Sequence, residues 1–163
     1  MTILIIGTDS THTEAFLRAS QSHTKKFQVW SNDLEECKRL YSKYSLGTFL
    51  DDIDELIENC DGVMIANRFG EDHYEPAVKV LNHGKPIFID KPLTESFKQA
   101  QEIYELAYER NLVAMSGSPL NFSSAVLEAS IKVAKKDTKK ITIRCPAECN
   151  DLGEDIRFKS VFF

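Results

Sequence analysis

In the stretch "PIFIDKPL", residues 86–93, an acid, a lysine and a proline follow directly on a short apolar run. That order puts Asp90 and the cation of Lys91 where a buried strand ends, with the backbone fixed by Pro92. A lysine so placed can pin a substrate hydroxyl or carbonyl and help its proton move, because burial readily changes its basicity. The plain alternative is a salt bridge from Lys91 to Asp90 or another surface acid. His73 follows "ANRFGED" at the start of a helix. It has the same two readings, a neutral helix-cap histidine or a ligand contact. The third candidate is the turn in "IIGTDSTHTEAF", residues 5–16. Gly7 makes the turn, and the N–H groups of Ser10 to Thr13 open a helix, so Thr8, Ser10, Thr11 and His12 surround a place where an anion can be held. Asp9 opposes an anion unless it faces away or caps the helix itself. A plain strand-to-helix corner is the competing reading.

The elements that must position these residues are written in alternating patterns. "TILIIG", "FQVW", "GVMIA", "PIFI" and "LVAMS" are apolar at successive positions, as in parallel strands covered on both faces. A further short strand is expected around Thr48 and Phe49. Between the strands lie segments of helical period. Leu34, Cys37, Leu40, Tyr41 and Tyr44 line one apolar stripe, and Phe97, Ala100, Ile103, Tyr104 and Ala107 another. Thr11 with Glu14, Asp72 with Glu75, and Ser96 with Gln99 have capping-box spacing at helix starts. Pro76 falls in a first turn, and "NHGKP" reads as a C-cap with Gly84 left-handed and Pro86 as the stop. Strand and helix alternate six times, the last helix starting near 124. The fold class is therefore α/β, a doubly wound parallel sheet of Rossmann type with a short C-terminal strand extension.

In such a sheet ligands bind beyond the carboxyl ends of the strands. The residues there are Gly7 to His12, Ser31 to Asp33, Asn67 and Arg68, Asp90 to Pro92, and Ser116 to Asn121. Just past the second strand, in "WSND", an acid grips a ribose 2′-hydroxyl in dinucleotide-binding sheets. Ser31 with Asn32 suits a 2′-phosphate, whereas Asp33 favours the unphosphorylated ribose. NAD and NADP both stay open.

A chain of 163 residues with 42% hydrophobic content supports one full core. The net charge of −5 argues against a nucleic-acid partner. The basic run "KKDTKK" at 135–140 reads as a solvated helix end. No apolar stretch approaches the roughly 18 residues of a membrane span, and "MTILIIGTDS" has no signal-peptide pattern, so a cytoplasmic location is expected. Cys37, Cys60, Cys145 and Cys149 lack zinc-site spacing; reduced structural thiols and no metal are expected.

Several motifs fall into line with one family. "ILIIGTDSTHTEAF", "CDGVMIANRFGEDHYEPAVKVLNHGKPIFIDKPLTES" and "LVAMSGSPLNFSSAV" resemble the N-terminal half of the glucose–fructose oxidoreductase, inositol dehydrogenase and rhizopine-catabolism (Gfo/Idh/MocA) dehydrogenases, over about residues 2–144. The middle block is the specific part, with Asp90 where the family's Glu-Lys-Pro signature has glutamate. The first turn departs from G-x-G-x-x-G, carrying Gly7, Asp9 and His12 in the G-x-D-x-x-H form of one branch, and Asn121 stands where members often have arginine. The resemblance implies a nicotinamide dinucleotide, NAD or NADP. Its pyrophosphate would lie at Gly7, Thr8, Asp9, Ser10, Thr11 and His12, its ribose near Ser31, Asn32 and Asp33, and its nicotinamide side near Asn67, His73 and Lys91. Ala66, Arg68, Asp90 and Pro92 flank these and complete the expected cofactor set. It implies hydride transfer at a carbon of a sugar, inositol or related polyol, with Lys91, aided by His73, as the catalytic groups.

Residues 1–121 are expected to form the NAD(P)-binding domain. Residues 122–163 are expected to hold a crossover helix and only the start of the family's C-terminal substrate domain. A homo-oligomer or a separate chain carrying that domain is then an implied partner. A non-catalytic module that keeps the fold without turnover is the alternative. An unrelated Rossmann enzyme such as a methyltransferase gives no account of "IDKPL".

Overall fold

The computed structural model describes residues 1–21 and 25–118, and beyond them Ser124, Leu127, Glu128, Ser130 and Ile131. The chain divides into two units, Met1–Ser123 and Ser124–Phe163. In the second unit the five described residues are helical, as expected from residue 124 onward. The readings of "KKDTKK", of Cys145 and Cys149, of Asn121 and of the C-terminal strand lie outside the described residues.

The first unit is built on a parallel sheet of five strands: β1 (Thr2–Ile6), β2 (Lys26–Trp30), β3 (Gly62–Ile65), β4 (Ile87–Ile89) and β5 (Ala114–Ser116), in the order β2-β1-β3-β4-β5. Register is parallel throughout, with Ile5 beside Val29 and Met64, and Ile65 beside Ile89. The continuous apolar runs are explained by cover on both faces. Helices α3 (Ile53–Glu58), α4 (Tyr74–Asn82) and α5 (Phe97–Glu109) lay Leu56, Ile57, Ala77, Val80, Leu81, Ile103 and Ala107 against Leu4, Ile6, Val63, Ile65, Ile87 and Ile89. On the other face α1 (Thr11–Ser20) and α2 (Leu34–Tyr44) bring Leu17, Cys37, Leu40 and Tyr41 against Ile5, Val29 and Ala66. Each fully buried Leu or Ile contributes about 1.5–3 kcal/mol, so the sheet ends are carried on a stiff platform.

Three local expectations are corrected. Thr48 and Phe49 form no strand. Phe49 instead stands edge-on to Tyr41, ring centroids 5.3 Å apart, where packing on α2 replaces sheet pairing. The Thr11–Glu14 capping box does not form, because Ser10 is the N-cap of α1 and accepts the His12 N–H at 3.0 Å. Glu14 turns to α2 instead, where Lys43, Arg39 and the Tyr44 hydroxyl surround it and hold its carboxyl at about 2, well below the usual range. Asp72 lies in a 3₁₀ turn (Gly70–Asp72), and α4 starts after His73 with no side-chain cap. By contrast Ser96 caps α5 through the Gln99 N–H, and Gly84 closes α4 at φ +73°. The α5 stripe is only half right: Ile103 and Ala107 are buried, whereas Phe97 is 85% exposed.

Among the described residues no helix is long and apolar enough to cross a membrane. Cys37 and Cys60 are buried free thiols.

Candidate functional site

Parallel strands bring all their carboxyl ends to one edge, and the chain's path reverses between β1 and β3: it leaves β1 for β2 on one side and returns to β3 on the other. A crevice at that reversal is where open α/β sheets bind ligands. The Gly7 turn and the turn after β3 meet there. Gly7 has φ +105°, and a Cβ on it would stand 2.6 Å from the Asn67 backbone nitrogen and 2.9 Å from the Asn67 Cα. Only glycine fits. The Thr13 hydroxyl, 1% exposed and missed by the sequence reading, donates to the Gly7 carbonyl at 2.7 Å and ties α1 to the turn.

Asp9 accepts the Arg68 N–H at 3.1 Å, so its charge is engaged by the turn after β3. The Arg68 guanidinium lies over the Phe69 ring, 5.7 Å from its centroid. Thr8 and Ser31 share a hydrogen bond of 2.7 Å between hydroxyls, joining the turns after β1 and β2. Of the N–H groups expected to be free, that of His12 is taken by Ser10. Thr11 is exposed at the first position of α1.

The turn after β2 is acidic. Asp33 caps α2 by accepting the Glu36 N–H at 3.0 Å, and Glu35 and Glu36 follow in the first turn. The nearby cations are engaged: Lys38 pairs with Glu35, and Arg39 with Glu36 and Glu14. Asn32 is exposed, and Ser31 is buried at 8% exposure over the Cys37 thiol, which burial pushes up.

The turns after β3 and β4 are held together by His73. Its ring is fully buried, with Nδ1 2.7 Å from the Pro92 carbonyl and Nε2 2.9 Å from the Asn67 carbonyl. Both nitrogens face acceptors inside the protein, so His73 braces the site from beneath and presents neither nitrogen to a ligand. His73 does stand at the N-cap position of α4, but its side chain makes no cap hydrogen bond there. Gly70 supports the same junction, for a Cβ there would come within 2.8 Å of the Pro92 ring. The sequence signal for both was slight, a glycine and a histidine three residues apart ahead of a helix. Ala66 belongs to the core, fully buried, with its N–H donated to the Ile6 carbonyl at 2.8 Å.

Asp90 is 2% exposed and pairs with His12 rather than with Lys91. Lys91 is exposed, and among the described residues no carboxylate lies within ion-pair distance of its ammonium. Two buried acceptors at these strand ends, Asn67 Oδ1 and Asp90 Oδ1, have no hydrogen-bond partner among the described residues. Buried orphan acceptors of this kind call for a donor from outside the chain. Among the described residues the edge therefore carries helix-start hydroxyls, two buried acceptors without partners and the exposed Lys91 ammonium.

A family model described as the oxidoreductase family, NAD-binding Rossmann fold, matches residues 1–118. The chain belongs to the Gfo/Idh/MocA oxidoreductase family. Among relatives of this family, the chain is 30% identical over 146 residues to the scyllo-inositol 2-dehydrogenase (NADP(+)) IolU of Bacillus subtilis, which covers 86% of the chain and 42% of that protein. UDP-N-acetylglucosamine 3-dehydrogenase GnnA from Acidithiobacillus ferrooxidans superposes with a TM-score of 0.71 at 21% identity, over 82% of this chain and 42% of that one. GenD2 from gentamicin A biosynthesis, solved in complex with NAD, does so with a TM-score of 0.72 at 17% identity, over 81% and 38%. These two share the fold. The chain spans less than half the length of the Gfo/Idh/MocA relatives it matches.

The residues present fit an NAD. The Gly7 turn packs directly on the Asn67 backbone, and the Asn67 Oδ1 and Asp90 Oδ1 oxygens, without partners among the described residues, suit ligand hydroxyl or amide donors. An open groove along the outer face of α5 is lined by Phe97, Ala100, Gln101, Tyr104, Glu105 and Tyr108.

Proposed function

We propose that this chain is the dinucleotide-binding part of an NAD-dependent oxidoreductase that acts on a carbinol carbon of a sugar, inositol or related polyol. The observation that carries the reading is Lys91, an exposed ammonium with no carboxylate partner among the described residues, directly after a strand whose last acid is engaged elsewhere. The pyrophosphate is assigned to the turn of Gly7 to His12, the adenosine ribose to Ser31 to Asp33, and the nicotinamide side to Asn67 and Lys91. When bound, the nicotinamide supplies the acceptor for a substrate hydride. Lys91 Nζ binds the substrate hydroxyl and holds it in place, and only in its neutral amine form takes up the hydroxyl proton as the carbonyl forms. His73 has no proton-transfer part in this reading; it fixes the Asn67 and Pro92 carbonyls, and through them the turn bearing Lys91. The relatives are more than twice as long as the aligned part, so turnover is assigned to this chain acting together with a substrate-binding portion.

NAD rather than NADP is the preferred cofactor. A 2′-phosphate at the turn after β2 would meet Asp33, Glu35 and Glu36, while Lys38 and Arg39 are occupied by those and neighbouring acids.

Trp30, the sole tryptophan, ends β2 beside the ribose turn and provides the test. Titration with NADH is expected to quench Trp30 and sensitise nicotinamide emission, with NADPH binding more weakly. Absence of both signals with either dinucleotide sinks the reading. Lys91→Ala is expected to keep NADH binding and abolish oxidation of an accepted polyol when the substrate-binding portion is supplied. Undiminished turnover removes Lys91 from its role.

A further inference from the structure

Helix α5 carries a second, apolar feature on its outer side. Phe97 is 85% exposed, Tyr104 45% and Tyr108 87%, and with Ala100, Gln101 and Glu105 they line the open groove along the helix. Single exposed apolar residues are ordinary, but rings aligned on one helix face mark a contact surface. No other helix among the described residues exposes an aromatic ring in this way. The core does not account for these rings, because Ile103 and Ala107 on the inner side of the same helix serve it.

The order of residues along the stripe points to its occupant. Positions 97, 100, 101, 104, 105 and 108 have the same spacing read from either end. A second copy of α5 laid antiparallel therefore sets Phe97 on Tyr108, Gln101 on Tyr104 and Ala100 on Glu105. The end rings meet rings, Gln101 reaches a tyrosine hydroxyl, and the small Ala100 lets the axes approach. Charge selects the same direction. Lys98, Glu105 and Glu109 are exposed and, being seven and eleven residues apart, fall on one flank of the stripe, the lysine at its N-terminal end and the acids towards its C-terminal end. A two-fold axis lays each flank against its own reverse, so Lys98 of each copy comes beside Glu105 and Glu109 of the other. A parallel pair would set lysine on lysine and acid on acid. The contacts these side chains make within α5, Lys98 to Glu102 at 3.7 Å and Gln101 to Glu105 at 2.7 Å, are exposed ones that re-pair at little cost.

We propose that this face of α5 is the interface of a reversible, two-fold symmetric dimer of the chain, with the two α5 helices antiparallel. At their exposures the six rings of two copies supply roughly 650–1,100 Å² of buried surface, the low end for a specific interface, so the dimer is weak rather than permanent. The stripe contains none of the residues assigned to the dinucleotide, and the inference does not depend on that reading.

The test is sedimentation equilibrium of the full chain from micromolar to millimolar concentration, where monomer is expected to pass into dimer. Tyr108→Asp, which places a carboxylate against the Phe97 ring, and Lys98→Glu, which makes the flank repulsive, are each expected to raise the dissociation constant about tenfold. Both positions are exposed, so melting temperatures are expected to stay at the monomer's value. Combining Lys98→Glu with Glu105→Lys and Glu109→Lys reverses the flank and is expected to restore the wild-type constant, since only antiparallel packing pairs position 98 with 105 and 109. A chain that stays monomeric at millimolar concentration, its stripe left bare or covered by another part of the protein, overturns the inference. A dimer that neither single variant weakens overturns it as well, and failure of the triple variant to recover overturns the antiparallel arrangement.

Discussion

Gly7 and Asn67 approach so closely that no side chain can be placed on the first: its Cβ would stand 2.6 Å from the Asn67 nitrogen. This contact is the floor of the crevice. Gly7→Ala must therefore move backbone, not a flexible side-chain tip, and also holds alanine at φ +105°. Together these are expected to cost about 2–4 kcal/mol in urea unfolding. Gly47→Ala is the matched control, with φ +96° and nothing within 4 Å of its Cβ, and is expected to cost about 1 kcal/mol. Equal losses in the two variants would show that the Asn67 contact is unimportant.

His73 braces two carbonyls from a fully buried position. His73→Leu removes the polar ring that stands between the two carbonyls and is expected to destabilise the chain by about 2–4 kcal/mol. His73→Gln, which can still donate to one carbonyl, should lose distinctly less. A leucine variant as stable as wild type contradicts the bracing role.

Glu14 makes α1 and α2 interdependent in a way that acid will reveal. Lys43, Arg39 and Tyr44 lower its carboxyl from the ordinary 4.5 to about 2. A group depressed on folding contributes stability that is complete above its unfolded value and vanishes as pH falls through the folded one. The difference in melting temperature between wild type and Glu14→Gln is therefore expected to hold steady above pH 4.5 and shrink as the pH falls towards 2. A difference independent of pH across that window would mean the carboxylate charge contributes nothing.

Asp33→Asn separates the charge of the ribose turn from its helix cap, since asparagine caps as well as aspartate. Stability is expected to be unchanged, while the preference for NADH over NADPH narrows about two- to fivefold. An unaltered ratio measured by Trp30 fluorescence would place the discrimination elsewhere.

The sheet was legible because each strand carries apolar residues at successive positions, which only two-sided burial makes stable. Ile3 to Ile6 and Gly62 to Ile65 show it directly, one strand side under α3 and α4, the other under α1 and α2. Thr48 and Phe49 were misread because two residues cannot distinguish a strand from a ring packed on a helix. The capping boxes at Thr11 and Asp72 failed for a related reason. Spacing tells which residues can reach each other along the chain, but Glu14 found stronger partners on α2.

By itself, then, the sequence determined the order of strands and helices, the set of strand-end residues and the family, since these depend on neighbours a few positions apart. Tertiary structure decided which of those residues work together. It buried His73 beneath two turns, gave Asp90 to His12 instead of Lys91, and left Lys91 exposed on the edge with no carboxylate partner among the described residues. Those pairings join residues as much as 78 positions apart, and only the folding of the parallel sheet, which gathers its strand ends on one side, brings them within bonding distance.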